Sequence, residues 1–327
     1  MISGGIGVPP KEEVRPGVWS IPLPLPGPLE YVVVYALVAK GDVLLVDAGW
    51  NSEAQYEVLR RTLEDIGASI SAIRGIVLTH THPDHAGMAA RLRTESSALI
   101  HSHAPGDAAS ATSRDCVHRG LIDWGLHGSE LADIMKALDQ LRTRPPLAPP
   151  DVLLREADVV APETWHLGVT HTPGHSHDHV CFIDDRNRIV FTGDHILSAT
   201  TPNISLGPGA HGDPLGDYIA SLRKMIDLGD FEALPGHEDR VPVVKRAQDL
   251  LAHHEEQLSL VFACVMTGCR TVRDIAEAIP WSRPWASFDV LDVFLALAET
   301  NAHLARLERA FMLSRDRSDP STWSLKA

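Results

Sequence analysis

The sequence predicts an α/β protein built of layered sheets and helices. Three observations carry that prediction. Short β-branched runs recur along the chain, and several end in a glycine-containing turn. Segments with apolar residues at helical spacing lie between them. With 327 residues, 44% hydrophobic and 22% charged, the chain can bury a sizeable core and has an ordinary globular composition. Such alternation is the pattern of strands and helices packed in layers.

Residues 1–16 contain several Gly and Pro and read as a loose N-terminal segment. From Val18 come two strand-like stretches, VWSIPLPLPG and YVVVYALVAKGDVLLVDAG, the second broken by a turn at Lys40-Gly41-Asp42. Ser52 is suited to cap a helix that runs to Ile66. Residues 71–78 read as a buried strand that enters the loop THTHPDHAG, and a helix follows. Residues 104–147 are mostly polar, with Trp124, Leu131, Ile134, Met135, Leu138 and Leu141 at helical spacing; they read as a helical insertion over the sheet. Strands resume at 152–154, 165–170, 179–183 and 189–192, a helix covers 214–228, and a strand at 231–234 runs into Pro235-Gly236-His237. These elements make one catalytic domain over 17–242. Residues 243–327 read as helix, helix, helix and hairpin, a winged-helix-like domain. That tail carries 10 Lys+Arg against 11 Asp+Glu, so it reads as structural or oligomeric rather than DNA-reading.

The histidines point to chemistry. There are 18, and seven fall in two short clusters: His80, His82, His85 and then His171, His175, His177, His179. Histidine is the commonest metal ligand among side chains. In His80-Thr81-His82-Pro83-Asp84-His85, residues two apart in a loop can both turn inward. His80 and His82 can then grip one metal, while Asp84 and His85 face a second position. His175, Asp194 and His237 each end an apolar stretch and each follow a glycine, which lets the backbone approach a crowded site.

In order along the chain, Asp47 in VDAG, the HTHPDH run, Gly-His at His175, Gly-Asp at Asp194 and Gly-His at His237 resemble the five motifs of the metallo-β-lactamase superfamily. The resemblance covers roughly residues 17–240. It implies a four-layer αββα sandwich with a dinuclear site at one edge of the sheets. It also implies that one metal is held by His80, His82 and His175 and the other by Asp84, His85 and His237. Asp194 would bridge them, and Asp47 would orient the motif loop. Asp84 and Asp194 are then the catalytic carboxylates. Nitrogen and oxygen donors suit two divalent ions, zinc first, with iron or manganese as alternatives.

An Asp at the bridging position, where true β-lactamases of the superfamily commonly have Cys or Ser, looks like glyoxalase II, the lactonases and the glyoxylase-like bacterial hydrolases. The expected function is hydrolysis of a thioester or ester, of the acyl-coenzyme A or glutathione type, by a metal-bridging hydroxide. A lactonase or β-lactamase-like hydrolase is the alternative. A mono-iron persulfide dioxygenase using His80, His175 and Asp194 is another, and a nuclease a third. His177-Asp178 departs from the Pro-Gly frequent in that group. His177, His195 and His211 are candidates to face substrate; His101 and His103 follow a short apolar strand, one a candidate to line the cleft, with a surface strand end as the equal alternative. Arg315 and Arg317 are candidates for an anionic carrier or for a solvated wing turn. His118, His127, His253, His254 and His303 read as surface or helix-face residues.

A net charge of −14 opposes binding to a nucleic-acid backbone. The expected partners are a small-molecule substrate and, as a homodimer, a second copy. With no apolar run of membrane-spanning length, no membrane partner is expected. The N-terminus lacks a basic region followed by an apolar run, and the four cysteines form no CxxC, so a cytoplasmic protein with reduced thiols is expected.

Overall fold

The β-branched runs at the start of the chain form one mixed sheet. In the computed structural model, which describes residues 7–26, 29–104, 113–142, 147–161, 165–316 and 320–326, it has seven strands in sequence order. They are β1 (Glu12–Arg15), β2 (Val18–Pro24), β3 (Tyr31–Ala39), β4 (Asp42–Val46), β5 (Ile73–Val77), β6 (Leu99–His103) and β7 (Val152–Leu154). The first four pair antiparallel, and β4 through β7 pair in parallel. Glu12–Arg15 is therefore a strand registered on β2, not part of a loose segment. Composition misses it because Glu and Arg carry no strand signal; pairing with β2 supplies the order. Residues 1–6 of that segment lie outside the described residues.

Parallel strands need crossovers, and helices provide them. α1 (Glu53–Asp65) joins β4 to β5; its N-cap Ser52 accepts from the Gln55 N–H at 3.2 Å, a cap worth about 1 kcal/mol. α2 (Pro83–Ala86) and α3 (Ala89–Ser96) join β5 to β6. Tyr56, Leu59 and Leu63 of α1 and Leu92 of α3 pack on Val32, Val34, Leu45 and Ile76 from one face of the sheet.

The opposite face meets a second sheet. Its order is β13 (Val241–Pro242), β12 (Glu232–Pro235), β11 (Ile189–Gly193), β10 (Val180–Asp184), β9 (Leu167–His171) and β8 (Val159–Val160). Only β11 and β12 run parallel. Val33, Tyr35, Leu37 and Val77 of the first sheet interleave with Val169, Phe182, Phe191 and Leu234 of the second. The Tyr35 ring meets Phe191 edge to face at 5.2 Å, and its hydroxyl donates to the Pro235 carbonyl at 2.8 Å. These strands, buried on both faces, read in sequence as continuous apolar runs. The predicted α/β sandwich is the observed architecture.

The chain divides into two compact units. The first comprises residues 1–105, 146–202 and 223–247; the second comprises 106–145, 203–222 and 248–327. The helices are α4 (Arg114–Asp123), α5 (Gly128–Arg142), α6 (Pro214–Leu228), α7 (Val243–Met266), α8 (Val272–Ala278) and α9 (Val290–Arg309), followed by the hairpin β14 (Leu313–Asp316) and β15 (Thr322–Leu325). Capping boxes at Thr271/Asp274 and Asp289/Asp292 start α8 and α9.

The sequence reading makes 104–147 a cover over the sheet, with 105–112 and 143–146 outside the described residues. Instead Leu121, Trp124, Ile134 and Met135 share one core with Val261, Ile275, Leu297, Leu304 and Trp323. Helical spacing shows that a face is buried, not what buries it. His254 and His303, read as surface or helix-face residues, lie on helices α7 and α9 with their side chains buried. Arg315 pairs with Asp123 and lies over Trp323 rather than reaching into solvent; Arg317 lies outside the described residues. No helix among the described residues is long and apolar enough to cross a membrane.

Candidate metal centre

Each candidate ligand sits where a strand ends. Asp47 follows β4, the His80–His85 run follows β5, His175 lies in the β9–β10 loop, Asp194 follows β11, and His237 follows β12. Strand C-termini of both sheets thus deliver side chains to one edge of the first unit. The motif is not all loop: Pro83–Ala86 forms a helical turn, with Pro at its first position, which carries Asp84 and His85.

The nitrogens and oxygens converge in two triads. His82 Nδ1 lies 2.9 Å from both His80 Nε2 and His175 Nε2. Asp84 Oδ2 lies 3.3 Å from His237 Nε2 and 3.7 Å from His85 Nε2. Asp194 stands between them. Its Oδ2 is 3.6 Å from His175 Nε2, while its Oδ1 is 3.3 Å from His85 Nε2 and 3.6 Å from His237 Nε2. Ligand atoms of His80, His82 and His175, of Asp84, His85 and His237, and of His80, His85 and Asp194 each lie within 4.8 Å of one another. The residues grouped by resemblance are the residues brought together.

A metal ion fits this arrangement on a test internal to the structure. His85 Nε2, His237 Nε2 and Asp194 Oδ1 are buried and form no hydrogen bond among the described residues. Buried polar atoms left unsatisfied are costly. Three converging ones, all of metal-ligand type, are explained by a shared cation.

Neighbours fix which nitrogen faces inward. Asp47 Oδ2 accepts from His85 Nδ1 at 2.8 Å, leaving Nε2 for the site. The Asp47 Oδ1 atom accepts from the Thr79 N–H at 2.8 Å, and the Thr79 hydroxyl donates to Oδ2 at 2.9 Å. That hydroxyl accepts in turn from His80 Nδ1 at 3.1 Å. His237 Nδ1 donates to the Tyr31 carbonyl at 2.8 Å. Asp47 holds a left-handed backbone, φ +63°, at this junction. The glycines are steric necessities: a Cβ at Gly236 would lie 2.5 Å from His85 Cε1, and one at Gly193 2.5 Å from the Thr79 hydroxyl.

Charge follows burial and partners. Burial, then the surrounding imidazoles, holds His80 well below the usual range, and burial with His175 pushes His82 down to about 4. Burial opposes charge on His85 too, but Asp194, Asp47 and Asp84 outweigh it and raise it well above the usual range. His237 is raised likewise: burial is overcome by Asp194 and Asp84. Burial works to raise Asp84, yet His85 and His237 bring it down to about 2; the same pair, against burial, holds Asp194 well below the carboxylate range. His80 and His82 are thus held neutral, while Asp84, His85, Asp194 and His237 carry paired charge.

Other candidates fall elsewhere. His195 is wholly buried, its ring 5.9 Å from His179, so it presents no face to substrate. A position next to a ligand says nothing about which way the side chain points. His177 is exposed near His171, and His211 is exposed in the second unit. His101 and His103 lie within β6; His103 stacks on His171 at 4.1 Å.

Sequence reasoning missed Thr79, whose only signal is a hydroxyl just before the motif. It missed a clamp as well. Glu238, at φ +66°, accepts from Ala199 N (2.6 Å), Thr200 N (3.1 Å) and Ser198 Oγ (3.2 Å). Arg246 donates to the carbonyls of Leu197 and Thr200, both at 2.6 Å, and of Ala199 at 3.3 Å. Together they fix the segment after Asp194 against the segment after His237.

Comparison with known proteins identifies the family. The family model of the metallo-beta-lactamase superfamily matches residues 27–237. A probable metallo-hydrolase, YqjP, of Bacillus subtilis (strain 168) is 25% identical over 89% of this chain and 92% of its own length. An atrochrysone carboxyl ACP thioesterase of Pseudocercospora fijiensis is 26% identical over 74% of this chain, which spans 60% of that relative. Among solved structures, a metallo-beta-lactamase family protein of Thermus thermophilus has a TM-score of 0.80 at 27% identity, covering 96% of this chain and 100% of that one. A beta-lactamase domain protein of Burkholderia ambifaria has a TM-score of 0.82 at 25% identity, covering 96% and 94%. With the motifs in order, the triads assembled and most of the first unit matched, the chain belongs to the metallo-beta-lactamase superfamily and is a metallo-hydrolase.

Proposed function

We propose that this protein is a dinuclear metallohydrolase of thioesters or esters, on the glyoxalase II-like side of its superfamily. The observation that carries the reading is Asp194, whose two oxygens face different triads. His80, His82 and His175 would hold one ion and Asp84, His85 and His237 the other. Two divalent ions, zinc first with iron or manganese as alternatives, would supply Lewis acidity to a carbonyl oxygen and to an attacking water. Asp84 is the more exposed carboxylate, its side chain 20% accessible against 12% for Asp194. It is placed to orient that water and take its proton. His80, His85 and His237 are buried deeper and exclude solvent from behind.

A thiolate or alkoxide leaves more readily than an amine, which favours thioesters or esters over β-lactams. Relatives carry that chemistry in their names: the Pseudocercospora enzyme, and the thioesterase pkgB of Emericella nidulans, 26% identical over 63% of this chain. We take the substrate to be an acyl group on a thiol carrier, such as coenzyme A, glutathione or a carrier protein.

The test is elemental analysis of protein purified without added metal, with a thioester, lactone and β-lactam panel and oxygen uptake on the same sample. About two metal ions per chain with thioester cleavage is the expected result. One iron with oxygen uptake would replace the reading with a dioxygenase. Asp84→Ala should lower turnover roughly 10²-fold or more while the chain stays folded; unchanged turnover would end the proposed role of Asp84.

A further inference from the structure

Outside the ligand set, the first unit holds a second group of histidines that the proposed chemistry does not use. We propose that His171 is a positioning residue: its Nε2–H latches the His177 carbonyl and so holds His175 where it converges with His80 and His82. The inference rests on the reading that this triad binds metal.

His175 is carried by a long loop. β9 ends at His171 and β10 begins at Val180, so the ligand sits midway along eight residues outside the ladder. At the base, Thr172 N–H donates to the His179 carbonyl at 2.9 Å, and the Thr172 hydroxyl meets His179 Nδ1 at 2.9 Å. Near the tip, the Gly174 N–H reaches the Ser176 carbonyl at 3.2 Å. The short bond across the loop is the one from His171 Nε2 to the His177 carbonyl, at 2.7 Å. It spans the ligand, with one end before His175 and the other after it.

His171 is itself held on every side. Glu156 Oε2 accepts from its N–H at 2.7 Å, and Lys224 Nζ donates to its carbonyl at 3.0 Å. The ring lies flat on that of His103, centroids 4.1 Å apart and planes 9° apart. His103 comes from the other sheet and donates from Nδ1 to the Ala104 carbonyl at 3.1 Å. The stack sets the plane of the His171 ring, and the carbonyl of His177 sets its tautomer. A partner bonded directly to a metal-binding histidine typically accounts for roughly 10- to 100-fold in metal affinity, which sets the scale for a latch on the loop that carries His175.

Three full-length variants separate donor from ring. His171→Phe keeps a stacking ring and removes the donor; His171→Gln places an amide N–H near the Nε2 position; His103→Phe keeps the stack from the other side. Two readouts apply: hydrogen exchange of the 172–179 segment in metal-free protein, and zinc affinity by competition with a chromophoric chelator. We expect faster exchange and roughly 10- to 100-fold weaker binding at one zinc site in His171→Phe, with His171→Gln and His103→Phe close to wild type. Wild-type exchange and affinity in His171→Phe would overturn the proposal, as would a Gln variant as impaired as the Phe variant. If the wild type took up no zinc, the dinuclear reading would fail, and the exchange result would judge the latch by itself.

Discussion

At the scale of single residues, the centre is a problem of tautomers. A neutral imidazole can offer a lone pair to a cation only from the nitrogen without the proton, so something must hold the proton on the other nitrogen. His85 uses Asp47 for this, His237 the Tyr31 carbonyl, and His80 the Thr79 hydroxyl, which passes the interaction on to Asp47. Thr79→Val keeps the shape and removes that acceptor. It should weaken metal binding roughly 10- to 100-fold by chelator competition, and Thr79→Ser should restore it; equal affinity in the Val variant would mean that His80 needs no such partner. The ligands were legible in the sequence because three histidines and an aspartate in six residues are hard to explain otherwise. Thr79 was not, since a threonine at the end of a strand is ordinary strand chemistry.

At the scale of elements, what matters is that strand ends from two sheets meet. The strands that lead into the ligands could be read from their own apolar runs, but the closeness of their ends is set by glycines and clamps. At Gly236 the His237 turn passes directly over the His85 ring. Gly236→Ala places a methyl 2.5 Å from His85 Cε1 and 3.1 Å from Asp194 Oδ1, so the ligand or the strand end must move. We expect elemental analysis of this variant to show loss of one metal per chain, with secondary structure by circular dichroism retained. Full metal content would show that the turn can yield. The motif helix α2 was missed because four residues are too few for a periodic signal.

At the scale of the whole molecule, the second unit carries buried ionisable groups remote in sequence from the motifs. His303 donates from Nδ1 to the Glu299 carbonyl at 2.9 Å and faces His254 Nδ1 across 3.4 Å. Burial, then His303 and His253, pushes His254 down to about 3, and burial pushes His303 to about 4. Both are held neutral in the fold, while the unfolded chain takes up protons below the ordinary histidine value of 6.5. Their contribution is therefore present above pH 6.5 and lost as pH falls toward 4. A His254→Phe variant should show a flatter fall of unfolding midpoint over that window; an unchanged slope would contradict the account. Glu299 has the opposite sign. Burial pushes it up to about 7, so the folded state keeps a proton that the unfolded state loses from 4.5 upward, and stability declines as pH rises through that window. Glu299→Gln should raise the midpoint at pH 8 and leave it unchanged at pH 4.5. An equal gain at both would assign the effect to packing.

The amino-acid order alone settles what local chemistry can encode. Runs of β-branched residues marked most strands, and helical spacing and caps marked the helices. Spacing around HTHPDH, with Gly-His and Gly-Asp at strand ends, marked the candidate ligands. Whatever depends on residues distant along the chain came from the packed fold. There Asp194 turns one oxygen to each triad, and Thr79 and Tyr31 set tautomers. There too His195, His254 and His303 are buried, and the 114–142 helices share a core with the C-terminal ones. The reason is physical: a side chain's type fixes what it can donate, accept or bury, but its partner is fixed only when sheets pack and strand ends converge.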